Sequence, residues 1–141
     1  MSLPGEGPVH RTPVTVRFYE LDPYGHVNHG VYINYFEVGR VQLLEQIGFG
    51  LPKLDLMGFR FVVVDTTVTF LKSAVANDDL VVTTRLTALK RVSAIWEQQI
   101  LKGDEVLVKN RLRSGITDSA GRPSVAPDGL NQALAALLPA S

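Results

Sequence analysis

"NHGVYINYFEVGRVQLLEQIGFG", Asn28 to Gly50, is the stretch whose reading decides the fold. Tyr32, Phe36, Gly39, Leu43 and Ile47 recur at steps of three and four residues, a spacing that gathers side chains on one face of an α-helix. Asn28 suits the start, because its side-chain oxygen can accept from an amide the first turn leaves unpaired. "GFG" at residues 48–50 supplies the stop. The stretch therefore predicts one amphipathic helix over residues 28–47. Gly39 on its apolar face would let another backbone come close.

Working outward, the neighbouring segments change period. "PVTVRFYE" from Pro13 alternates and is β-branched and aromatic, which predicts a first strand. Residues 1–12 carry Pro and Gly with few apolar anchors and read as a mobile lead-in to a single domain over 13–141. Downstream of the helix comes a Pro-containing loop, then "FRFVVVDTTVTFL", with Val62, Val64, Thr66, Val68 and Phe70 on one face. "DLVVTTRLTALKR", "SAIWEQQIL" and "EVLVKNRLRSGITD" continue as strands, "KGDE" at Lys102–Glu105 being a tight hairpin and "SAGRP" the closing turn. Trp96 within them reads as packing, and "PDGLNQALAALL" as a short final helix. The order is strand, long helix, then four strands in meander. It predicts an α+β fold, a curved antiparallel sheet wrapped around one central helix.

Composition narrows the function classes. Lys plus Arg and Asp plus Glu both total 14, so no basic surplus favours nucleic acid. There are no cysteines, which removes thiolate catalysis and Cys-ligated zinc. The opening residues lack the pattern of a secretory signal, and no apolar run reaches membrane-spanning length, so a cytoplasmic protein without a membrane partner is expected.

Chemistry concentrates in "ELDPYGHVNHGVY", Glu20 to Tyr32, which holds two of the three histidines. Pro23 and Gly25 mark a turn, and Asp22 stands in it just before the helix start. A helix N-terminus offers unpaired N–H groups and partial positive charge, which can polarise a carbonyl and hold an oxyanion. A nearby carboxylate can attack that carbon or deprotonate a water. Gly25 and Gly30 would let backbone approach a ligand closely.

"FYELDPYGHVNHGVYINYFEVGR" resembles the hotdog-fold acyl-CoA thioesterases of the 4-hydroxybenzoyl-CoA thioesterase type. Asp22, Gly25, Val27 and Tyr32 match that family's signature of an Asp, a following Gly, a small apolar residue and an aromatic. "HVN" at His26–Asn28 is similar to a motif of plant acyl-carrier-protein thioesterases, although Tyr24 stands where those proteins have an Asn. "TFLKSAVANDDLVVTTRL" and "ITDSAGRPSVAP" extend the likeness over roughly residues 14–128.

The resemblance implies an acyl-CoA thioesterase with Asp22 as nucleophile or general base. The N–H groups around His29 and Gly30 would polarise the carbonyl, with His26 beside them. It implies substrate contacts from Tyr24, Asn28, Tyr32, Lys90, Arg91 and Ser93, the two cations meeting coenzyme A phosphates, with Arg111 and Arg113 as further candidates. Glu37 is the alternative acid, placed on the helix in another branch of the fold; its bland role is a helix pair with Arg40. Coenzyme A enters as part of the substrate, and no cofactor is expected. Asp22, His26 and His29 form a two-His, one-carboxylate set, but nothing completes a shell and no metal is expected. A homodimer or homotetramer is implied, with sites at the subunit interface. Two rivals share the fold: a non-catalytic acyl-CoA-binding protein, and a hydratase or dehydratase of unsaturated thioesters.

Overall fold

A computed structural model describes residues 7–140. The elements run β1 (His10–Thr15), a 3-10 turn (Phe18–Glu20), α1 (His29–Gln46), α2 (Leu51–Met57), β2 (Phe59–Phe70), β3 (Asp79–Leu89), β4 (Ser93–Lys102), β5 (Glu105–Asp118) and α3 (Asp128–Ala135). The five strands form one sheet in the order β1-β3-β4-β5-β2, every neighbouring pair antiparallel. α1 lies across β1, β3 and β4. This is the α+β hotdog arrangement expected from the sequence.

α1 begins and ends where the residues require. The Asn28 side chain accepts from the Gly30 N–H at 3.0 Å. At the other end Gly48 takes φ +89°, and the Phe49 N–H reaches back to the Leu44 carbonyl while the Gly48 N–H reaches that of Glu45. That is a Schellman stop, which needs a left-handed residue and obtains it from glycine. Tyr32, Tyr35, Phe36, Gly39, Leu43 and Leu44 are buried. Tyr32 and Phe36 pack with Val82, Ile100 and Val108; Leu43 and Leu44 pack with Trp96, Leu112 and α3. Trp96 is a packing residue, its indole N–H donating to Ser114 Oγ at 2.9 Å.

Several expectations are corrected. The residues from Phe18 form a turn instead of extending the first strand, because the Arg17 N–H donates to Glu20 Oε1 at 2.8 Å and the Glu20 N–H to the Arg17 carbonyl. The strand starts earlier than Pro13: His10–Thr12 already pair with β3, and Thr12 is fully buried. Of the expected lead-in, residues 1–6 lie outside the described residues. The Pro-containing loop is the helix α2, since Pro52 falls in its first turn, where a missing N–H costs nothing.

The four later strands are not a simple meander. β3, β4 and β5 are, whereas β2 crosses to the far edge and, among the described residues, pairs with β5 alone. A register shift between Val63 and Asp65 also breaks the alternation of β2. Phe59 and Phe61 face the core before it, and Thr66 and Val68 after it, so Val62 and Val64 leave the face expected of them.

Gly39 meets the sheet where the helix comes nearest. A Cβ there would stand 2.7 Å from Thr84 Oγ1, 2.9 Å from Val82 Cγ1 and 3.2 Å from Gln98 Nε2. Gln98 Nε2 itself donates to the Phe36 carbonyl at 2.8 Å and to Thr84 Oγ1 at 3.0 Å. Gly39→Ala should therefore destabilise the fold by about 1–3 kcal/mol, as overpacking does. A urea unfolding midpoint equal to that of the unchanged chain would sink this account of the helix seat.

Candidate active site

The chain from Glu20 to His29 is a closed loop pinned at its base. The Asn28 N–H donates to the Glu20 carbonyl at 2.9 Å, Leu21 and Val27 form an isolated antiparallel bridge, and the Val27 N–H donates to the Ala74 carbonyl. Val27 is buried in the core. At the tip the Asp22 N–H donates to the His26 carbonyl at 2.7 Å, and Gly25 adopts φ +78° to close the turn.

The carboxylate of Asp22 takes part in this turn with one oxygen only. Oδ1 accepts from the Tyr24 N–H at 2.9 Å and from the His26 N–H at 3.2 Å. Oδ2 has no hydrogen-bond partner among the described residues. Such an arrangement fixes the direction of the carboxylate and leaves its second oxygen for chemistry.

Asp22, His26, His29 and Tyr32 line one cavity of about 290 Å³, with Phe70, Leu71, Lys72 and Ser73 opposite. The His29 ring stands edge-on to Phe70, centroids 4.8 Å apart. The His29 N–H, the first amide of α1, makes no hydrogen bond among the described residues, while that of Gly30 is taken by Asn28. α1 has no acid in its first turn to offset its positive end. The Tyr32 hydroxyl accepts from the Ala74 N–H at 2.9 Å. Burial pushes the Tyr32 phenol above its ordinary range, and the charge of Asp22 adds to the rise.

Other expected residues fall elsewhere. Tyr24 is 85% exposed at the loop tip, and Asn28 is engaged as the helix cap. Lys90, Arg91 and Ser93 stand at the β3–β4 turn, the opposite end of β3 from the Asp22 loop. Eleven strand residues at roughly 3.3 Å each separate the two ends, so no single chain unites these cations with Asp22. Arg113 is bound twice to Asp65 Oδ2, at 3.1 and 2.7 Å. Arg111 lines a concavity of about 640 Å³ on the sheet face, which contains none of the Asp22 loop. Glu37 and Arg40 line a separate cavity of about 150 Å³ between α1 and β2. Arg40 donates to Gln98 Oε1 at 2.9 Å, and burial lowers its pKa.

Sequence reading overlooked Lys72 and Glu20. Lys72 sits on the rim of the Asp22 cavity, paired with Glu105; its signal was a lone basic residue closing a valine-rich strand. Glu20 receives the Tyr35 hydroxyl at 2.7 Å. Burial, then the Glu20 carboxylate, raise the Tyr35 pKa, so the phenol stays protonated and donating. Tyr35→Phe should cost about 1–3 kcal/mol by stripping a donor from a largely buried carboxylate, and thermal unfolding that matches the parent chain would contradict it.

Among the described residues no three His, Asp or Glu side chains are grouped to hold a metal ion, Asp22, His26 and His29 included. No helix among them is long and apolar enough to cross a membrane.

Residues 24–109 match the family described as Thioesterase superfamily. The chain is 30% identical over 125 residues to the chloroplastic acyl-acyl carrier protein thioesterase ATL2 of Arabidopsis thaliana, covering 87% of this chain and 66%, just under two thirds, of that protein. It is 33% identical over 90 residues to the long-chain acyl-CoA thioesterase FadM of Escherichia coli, covering 64% and 67% of the two chains. In three dimensions it is similar to a thioesterase from Thermus thermophilus solved with coenzyme A and Zn, with TM-score 0.80, 30% identity and 94% and 95% coverage. The chain belongs to the thioesterase superfamily.

Proposed function

We propose that this chain hydrolyses acyl-CoA thioesters, releasing a carboxylic acid and free coenzyme A. The observation that carries the reading is the Asp22 carboxylate, one oxygen held by two amides and the other without a partner among the described residues, on a residue that lines the same cavity as His29 at the start of α1. Asp22 Oδ2 either attacks the thioester carbon or takes a proton from a water that does. The new C–O bond pushes the carbonyl electrons onto oxygen, where the His29 N–H and the positive helix end receive them. Collapse breaks the C–S bond, and the thiolate of coenzyme A leaves. In the nucleophilic route, water then releases the acid from Asp22. Lys72 on the rim offers a cation to the phosphates of coenzyme A. The relatives' names, acyl-CoA and acyl-acyl carrier protein thioesterases, support the substrate class.

Thiol release from butyryl-, lauroyl-, palmitoyl- and benzoyl-CoA tests the reading. Asp22→Asn keeps the shape of the loop and removes the charge, and should lower the rate about 10²–10⁴-fold. Tight acyl-CoA binding by the wild-type chain without thiol release would replace the hydrolase with a binding protein.

The second element of the proposal is a dimer. β2 forms the edge of the sheet, and its outer backbone groups have no partner among the described residues. Val62, Val63 and Val64 are exposed along it. A long apolar edge of this kind is a template for a second strand, and a second copy of β2 is the self-complementary candidate. Sedimentation should report a dimer of the wild-type chain and a monomer of Val63→Lys; a monomeric wild type would end this part of the proposal.

A further inference from the structure

Buried polar groups seldom go unpaired, so the proton of a buried phenol has to be placed somewhere. Tyr32 is 2% exposed, and its Oη accepts from the Ala74 N–H at 2.9 Å. A phenol donates as well as accepts, and the Tyr32 O–H has no acceptor among the described residues. Burial pushes the phenol up, so it keeps that proton at neutral pH. Two acids, Asp22 and Asp78, reach it with their charge. Asp78 is spoken for: one oxygen pairs with Lys102 at 2.9 Å and the other accepts from the Val75 N–H at 2.9 Å. Asp22 Oδ1 is held by the Tyr24 and His26 amides, which leaves Asp22 Oδ2.

An unclaimed donor and an unclaimed acceptor thus belong to two residues of one cavity, of about 290 Å³, with room for water beside an acyl group. The two groups make no direct hydrogen bond. The Tyr32 ring is fixed by Tyr35, edge-on with centroids 6.3 Å apart, and by Phe70 at 5.8 Å, so the direction of its hydroxyl is set before any ligand enters. A water that accepts from Tyr32 and donates to Asp22 Oδ2 keeps its second lone pair for a carbonyl carbon. The family resemblance asks for an aromatic ring at position 32, not for its hydroxyl.

We propose that Tyr32 holds the attacking water for Asp22, so that Asp22 acts as a general base and carries no acyl group. The inference rests on the thioesterase reading and goes beyond it, because it chooses between the two routes open to Asp22 and gives the nucleophile a second holder. The water oxygen bonds to the acyl carbon as Oδ2 takes its proton, and the carbonyl electrons move onto oxygen at the His29 N–H. Collapse breaks the C–S bond. The proton on Asp22 then passes to the departing thiolate and restores the carboxylate. The Tyr32 proton orients the water and is not transferred.

A single turnover in water carrying heavy oxygen, with the chain in excess over lauroyl-CoA, tests the route. The released acid should take up the label, and Asp22 should stay unlabelled in the peptide mass spectrum. Label in Asp22, or an acyl adduct caught on it by acid quench, overturns the proposal. Tyr32→Phe keeps the ring and should lower kcat about 10- to 100-fold at nearly constant KM, the scale of loss for a misplaced nucleophile. That variant also strips the Ala74 N–H of its acceptor, so a double-mutant cycle separates the two effects. In an Asp22→Asn background the same substitution should change the residual kcat less than about twofold, since the water then has no base to serve. An equal loss in both backgrounds makes Tyr32 a structural residue and overturns the proposal, as does a Tyr32→Phe chain with the parental kcat. Failure of the thioesterase reading shows separately, as wild-type chains that release no thiol or Asp22→Asn chains that remain fully active.

Discussion

The contact between α1 and the sheet at Gly39 is the constraint on which the rest of the molecule depends. Only a residue without Cβ lets the helix descend until Thr84, Val82 and Gln98 touch its backbone. At that depth Gln98 can reach the Phe36 carbonyl, and its own oxygen is held by Arg40 and, at 3.3 Å, by Asn110. Thr66 continues the chain of bonds through Asn110 to the edge strand. A buried polar network of this kind is satisfied in one arrangement and costly in others. It fixes the rotation of α1 as well as its depth. The direction of the first helical amide is thereby decided some three turns away from it.

Between that seat and the chemistry lie two short clamps. Glu20 joins the end of β1 to the middle of α1 through Tyr35, and its carbonyl takes the Asn28 amide at the helix start. Ala74 receives Val27 and gives its own amide to Tyr32. The Asp22 turn is therefore suspended between a strand, a helix and the β2–β3 connection, none of which moves without breaking bonds in another. Rigid elements hold both ends of the loop, the support that precise placement of a side chain requires.

Much of this was legible in the sequence. The period of α1, its cap at Asn28, the glycine stop and the close approach at Gly39 are local properties, written in spacing and residue type. The turn at Asp22 was legible for the same reason. What sequence could not place were relations across the chain. Pairing of β2 with β5 depends on which strand reaches which edge, and nothing in the valine-rich run states it. The bulge near Val64 reverses the faces of half a strand without changing its composition. The resemblance implies Lys90 and Arg91 at the coenzyme A phosphates, yet their distance from Asp22 is set by the length of β3. Lys72 reads as an ordinary surface cation until the sheet brings it to the cavity rim.

The strand order carries a cost that arises before the protein is complete. Among the described residues β2 is the second strand, but the strand it pairs with, β5, is the last. During synthesis a valine-rich segment must wait without a ladder while three further strands are made. Long-range pairing of this kind slows folding, since a large loop has to close before any contact rewards it. Over that interval "FVVV" is the segment most able to join another nascent chain. Arg60 and Asp65 bracket it, the position in which charged gatekeepers oppose such misassociation. The exposed valine run along that edge is thus the part of the chain most in need of protection while it is still being made.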